Sequence, residues 1–199
     1  LPKAVVAVHL SGRPCELRAL QNLKQRYDFY LVEDASHAIG ATYEGNIIGK
    51  AIFSDAVIFS FHPVKIITTA EGGAVLTDNR KIAERVRLLH AHGITHDTAL
   101  MERPNMPAWY YEQIDLGYNY RMSDLQAALG VSQLARIDSF LAKRRQLAKD
   151  YEELLDKSII TLPVADTEGY ESSWHLYQVQ VPHRDEIYNT LRSKGVGAQ

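Results

Sequence analysis

Residues 4–34 read AVVAVHLSGRPCELRALQNLKQRYDFYLVED, and this stretch decides the fold class. Ala4–Leu10 is a continuous, β-branched apolar run, as expected for a strand covered on both faces. Ser11-Gly12-Arg13-Pro14 turns the chain. Leu17, Leu20, Leu23 and Tyr27 then recur at three- and four-residue steps, the spacing that lines one face of a helix. Phe29–Val32 is a second short buried strand, ending at Glu33-Asp34. Strand, helix and strand within about 30 residues form a βαβ unit, so a mostly parallel sheet with a right-handed crossover is expected.

Working outward, Ala56–Phe59 gives a third buried strand and Ala74–Leu76 a fourth, set off by Gly72-Gly73. Gly45 and Gly49 mark turns and a small hairpin. Lys81–Leu89 reads as a helix with Ile82, Val86 and Leu89 inward. The stretch from His90 to Leu116 has no period and reads as a long functional loop. Ser123-Asp124 opens a helix that continues to Leu134, and Ile137–Leu155 is the longest periodic segment. Trp174–Val181 alternates at period two, which predicts a half-exposed antiparallel strand, and Asp185–Lys194 a helix after it. The change of texture divides the chain into a large α/β domain, 1–136, and a linking helix with the start of a small α+β domain, 137–199. The absence of an initiator Met before Leu1 and the strand-like approach at Gly195-Val196-Gly197 lead us to expect part of a longer polypeptide.

The 199 residues are 46% hydrophobic and carry 22 basic against 24 acidic side chains, a net charge of −2. Such a chain can bury a real core, which argues against disorder. It lacks the basic excess of a nucleic-acid binder, and no apolar run approaches the roughly 18–20 residues of a bilayer span. The single cysteine, Cys15, can make neither an internal disulfide nor a thiolate zinc cage. A soluble cytoplasmic setting is expected. His90, His92 and His96 lack a carboxylate at helical spacing, so no metal is expected, and Lys143-Arg144-Arg145 reads as a solvated face of the long helix. No G-x-G-x-x-G follows any strand, which sets aside a plain dinucleotide binder.

In an open parallel sheet, ligands sit beyond the carboxyl ends of the strands. Two such ends are chemically loaded: EDASHAIG at 33–40, and SFHPVK at 60–65 followed by TTAEGG at 68–73. A lysine in a partly desolvated cleft is biased towards the neutral amine, which attacks carbonyls. A carboxylate at a neighbouring strand end keeps a pyridine nitrogen protonated, and pyridoxal phosphate asks for that pairing. Its phosphate needs a hydroxyl and N–H donors, part of which Ser60 can supply.

EDASHAIGA and SFHPVKIITTAEGGAVLTD, followed by GYNYRMSDLQAALG, closely resemble the DegT–DnrJ–StrS group of sugar aminotransferases, in the group's order and over nearly the whole chain from VHLSGRP to WHLYQV. The resemblance implies a fold-type-I pyridoxal 5′-phosphate enzyme. Lys65 matches the Schiff-base lysine, Asp34 the acid at the pyridine nitrogen, and His37 the Gln or His beside the ring. Ser60 matches a phosphate ligand, and Asn119 an asparagine that reaches the site from a partner subunit, which implies a homodimer with shared sites. SFHPVK with TTAEGGAV is most similar to the pseudaminic acid branch of the group. That branch implies amino transfer from L-glutamate to C4 of a UDP-linked 4-keto-6-deoxy-N-acetyl hexose, donor and acceptor taking turns in one site. Lys65 argues against a sugar dehydratase, where a histidine replaces the lysine. Nothing in the chain matches the group's N-terminal third, which supplies most of the phosphate loop and the ring-stacking aromatic.

Plainer readings stand beside these. Asp34 and Ser60 also suit turn caps, His37 a core histidine, Asn119 a helix entry and Lys65 an ordinary loop position. Trp109-Tyr110-Tyr111, Tyr118 and Tyr120 suit a stacking surface for a sugar nucleotide and a dimer interface equally well.

Overall fold

A computed structural model describes residues 1–199. Strand β1 (Ala4–Val8) leads through a short 3₁₀ turn to helix α1 (Leu17–Tyr27) and strand β2 (Tyr30–Asp34). The hairpin β3 (Thr42–Tyr43) and β4 (Asn46–Ile47) follows, then β5 (Ala56–Ser60) and β6 (Gly73–Leu76). Next come α2 (Arg80–Leu89), the hairpin strands β7 (Ile94–Thr95) and β8 (Glu112–Gln113), α3 (Asp124–Leu134) and α4 (Ile137–Leu154). Strand β9 (Tyr170–Glu171) and α5 (Arg184–Ser193) complete the chain. No helix is long and apolar enough to cross a membrane.

The main sheet has the order β1-β2-β5-β6. The first two pairings are parallel, as the βαβ reading predicts, and the last is antiparallel. Ala7, Glu33 and Val57 lie opposite one another in the register and share the buried face. Leu17 of α1 packs there in a cluster with Val57, Phe59, Tyr43 and Phe53. Helix α1 ends at Asp28, which adopts the left-handed conformation that closes a final turn. At the end of β1, His9 and Glu33 are fully enclosed: His9 Nδ1 accepts the Cys15 N–H at 3.0 Å, its Nε2 lies 3.0 Å from Glu33, and Ser54 donates to the other carboxylate oxygen. A buried carboxylate is tolerable because both oxygens find donors.

Four sequence expectations need correction. Strand β1 is covered on one face only in this chain: Val6 and Val8, on the other face, are exposed. The segment from His90 to Leu116 is not featureless, because β7 and β8 form a hairpin; strands of two residues are too short to show a period. Trp174–Val181 is not a strand. Trp174 takes a left-handed φ of 49°, which breaks an extended ladder, and only Gln180 makes a bridge, to Thr161. The basic run on α4 is not simply solvated. Arg144 and Arg145 are half-buried and donate to backbone carbonyls of residues 172–175 and of Gly40.

Those bonds help to bring the late part of the chain onto the early part. Strand β9 pairs with β3, and Leu141 of α4 sits tightly against Gly40. The Ser173 and Leu176 N–H groups donate to the carbonyls of Gly12 and Ser11.

Candidate active site

The parallel register sets Val8, Asp34 and Ile58 side by side, so Asp34 projects from the face opposite the α1 core, at the carboxyl end of the sheet. Ser60, two residues beyond Ile58, shares that face by alternation. Asp34 Oδ1 accepts the Ser36 N–H at 3.0 Å, a bond that turns the chain towards His37. Burial pushes the Asp34 carboxyl up, but the Ser36 hydrogen bonds and the nearby His37 and Lys65 outweigh it, leaving it below the usual carboxylate range. His37 is lowered by burial and then by Lys65, with Asp34 pulling the other way. Asp34, His37 and Lys65 therefore form one electrostatic cluster.

Lys65 lies in a loop stitched shut at its neck. The Phe61 N–H donates to Gly72, the Thr69 N–H donates to Phe61, and buried Ile66 and Ile67 anchor the middle. The Lys65 N–H closes a turn on the His62 carbonyl at 2.9 Å. Gly72 and Gly73 permit the close approach: a Cβ on Gly73 would stand 2.7 Å from the Phe59 carbonyl. Ser60 Oγ accepts the His62 N–H at 3.4 Å, so the hydroxyl serves the turn and still has its proton to donate.

The opposite wall comes from residues that the sequence reading did not single out. Ser11 donates its N–H to His37 Nδ1 at 3.3 Å, which makes His37 a neutral ring carrying its proton on Nε2. Ser173 Oγ donates to the His37 carbonyl at 2.8 Å, and the His175 ring packs on the His37 ring with centroids 4.4 Å apart. Burial first, then His37, Lys65 and Arg144, push the His175 pKa down to about 4. Its Nδ1 is buried without a partner. The signals available were the Ser11-Gly12 turn directly after a strand and the Ser-Ser-Trp-His run.

Asn119 is exposed and bridged to Ala91, with no hydrogen bond to Asp34, His37, Ser60 or Lys65. Tyr118 and Tyr120 beside it are stacked at 4.9 Å, and Trp109 and Tyr111 are exposed. A cleft of about 810 Å³ adjoins this segment, lined by Ile58, Val75, Val86, Tyr120 and Met122 among others, but not by Asp34 or Lys65. Of the three histidines, His90 bonds the Arg87 carbonyl at 2.7 Å and His96 packs on Tyr111.

The model of the DegT/DnrJ/EryC1/StrS aminotransferase family matches residues 2–199. The chain belongs to this family. It is 36% identical over 201 residues to the UDP-4-amino-4,6-dideoxy-N-acetyl-beta-L-altrosamine transaminase of Campylobacter jejuni, covering 98% of this chain and 50% of that protein. Among solved structures it is similar to Helicobacter pylori PseC, an aminotransferase involved in the biosynthesis of pseudoaminic acid. The TM-score is 0.85 at 31% identity, covering 97% of this chain and 50% of that one. It also matches Spr1654 of Streptococcus pneumoniae in its PMP-form, with a TM-score of 0.84 at 29% identity over 97% of this chain and 54% of that one. The chain thus spans about half the length of these relatives.

The family depends on pyridoxal 5′-phosphate, and its fold is the α/β fold of these transferases. The residues present fit that cofactor. An ionised carboxylate and a primary amine share one end of the sheet, and a neutral imidazole beside them has its Nε2–H free to donate.

Proposed function

We propose that this chain carries the cofactor-holding part of a pyridoxal-phosphate-dependent aminotransferase. The proposed reaction moves the amino group of L-glutamate to the 4-keto carbon of a UDP-linked 4-keto-6-deoxy-N-acetyl hexose. The observation that carries the reading is that Asp34, His37 and Ser60 share the carboxyl end of the sheet with the stitched loop that bears Lys65, in a chain of this family. Likeness to the Campylobacter transaminase and to PseC supports the choice of acceptor.

Bound pyridoxal phosphate supplies an electron sink that makes the Cα–H bond of the donor labile. Asp34, held as the anion, would hold the ring nitrogen of the cofactor and keep it protonated. Lys65 supplies the amine that holds the cofactor and then carries a proton to and from the reacting carbon. With the cofactor bound, the Nε2–H of His37 would be a donor to it and the Ser60 hydroxyl a donor to its phosphate. Asn119, exposed and without a hydrogen bond to the cluster, is assigned to the site of a second copy, which would make the working unit a homodimer; a cytoplasmic setting is proposed with it. Residues 1–136 form the large domain and 137–199 the linking helix and the beginning of the small one.

The test uses the complete gene product with pyridoxal phosphate, glutamate and a panel of UDP- and dTDP-ketosugars, the products being read by mass spectrometry. A visible cofactor band abolished by Lys65→Ala, and amination of the UDP-4-ketosugar, are expected. A band that survives Lys65→Ala sinks the residue assignment; amination of a dTDP sugar alone sinks the choice of acceptor.

A further inference from the structure

His175 reaches the site by an unusual backbone route. Trp174 holds a φ of 49°, a conformation rare for a bulky residue and one that marks stored strain. The turn sends the two neighbouring side chains apart: Trp174 packs on Tyr177, with centroids 5.6 Å apart, and His175 packs on His37. Strain of this kind persists only where the surroundings over-determine it. Here Arg144 Nη1 donates to the carbonyls of both Trp174 and His175 at 3.1 Å, and Ser172 Oγ accepts the Trp174 N–H at 3.1 Å. The Ser173 N–H is tied to Gly12 at 3.1 Å and its hydroxyl to the His37 carbonyl.

The ring so placed is 9% exposed, makes no hydrogen bond, and leaves Nδ1 without a partner. A buried imidazole with nothing bonded to its edge is held by its faces. The face in question meets His37, whose own edge is fixed on the other side by the Ser11 N–H. We propose that His175 is the positioning residue for His37, its ring holding the Nε2–H of His37 in the one orientation that bound pyridoxal phosphate needs. The proposal rests on the cofactor placement given above.

The tilted pair, its ring planes 36° apart, acts through shape, not through charge. The charged and titratable groups around the two rings are Asp34 on β2, Lys65 in the loop after β5 and Arg144 on α4. All three remain when His175 is replaced by an apolar residue. A flat ring therefore substitutes for His175, and a branched aliphatic chain of similar bulk does not.

The experiment titrates pyridoxal phosphate into His175→Phe and His175→Leu forms of the complete gene product. It reads the dissociation constant and the pH midpoint of the visible band, each also in a His37→Phe background. We expect His175→Leu to bind the cofactor about three- to tenfold more weakly, the range of one lost aromatic pair, and to displace the midpoint. His175→Phe stays near the parent in both. With His37→Phe the Leu variant adds no further change, because two residues acting as a unit are non-additive. Parental behaviour of His175→Leu, or an equal effect with and without His37, overturns the proposal. A parent protein with no visible band overturns instead the cofactor placement on which it rests, so the two failures are distinguishable.

Discussion

At Gly12 the backbone sits at φ +100°, and a Cβ there would lie 2.5 Å from Ser173 Oγ and 3.0 Å from both the His37 carbonyl and the His175 nitrogen. No L side chain suits that conformation or that space. Gly12→Ala is expected to destabilise the fold by on the order of 3 kcal/mol and to weaken cofactor binding, as chemical denaturation and pyridoxal phosphate titration would show. The placement of Asp34 and Ser60 at strand ends, with Lys65 in the loop after β5, was legible in the sequence because the short buried strands that lead to them are. Gly12, Ser173 and His175 were not, since their role arises from contact between segments some 160 residues apart, such as Ser173 with Gly12.

Helices were the easiest elements to read. The three- and four-residue spacing located α1 and α4 almost to the residue, because one face of each meets the core and the other meets water. Short paired strands were illegible: β7, β8 and β9 have two residues each, too few to alternate. Period-two alternation misled at Trp174–Val181, where the backbone makes no ladder beyond the bridge of Gln180 to Thr161. Helix α3 carries a reciprocal cap, in which Ser123 Oγ accepts the Gln126 N–H while the Gln126 side chain accepts the Ser123 N–H. The same Gln126 donates to the Glu71 carbonyl at 3.0 Å, so the cap also braces the loop that carries Lys65. Ser123→Ala is expected to cost about 1 kcal/mol in thermal or denaturant unfolding. Protection of the amides of residues 68–73 from hydrogen exchange should fall with it.

Across the whole molecule, the neutral His175 links stability to pH. Its folded-state pKa of about 4 lies below the ordinary 6.5, so the unfolded chain takes up the proton first as pH falls. Its contribution is thus complete above pH 6.5 and drains away between there and about 4, a loss on the order of 2 kcal/mol after solvent screening. Denaturation midpoints of the parent and of His175→Phe at about pH 7.5 and about pH 4.5 isolate it, other groups cancelling in the comparison; the variant should show the shallower decline. The pairing of β9 with β3, and of Ser173 with Gly12 and His37, has one more consequence. A ribosome delivers Lys65 and Asp34 long before it delivers the wall that steadies them. On the proposed cofactor placement, the nascent chain is expected to hold vitamin B6 more weakly until residue 175 has left the exit tunnel, so that the cofactor is acquired late in synthesis or after it.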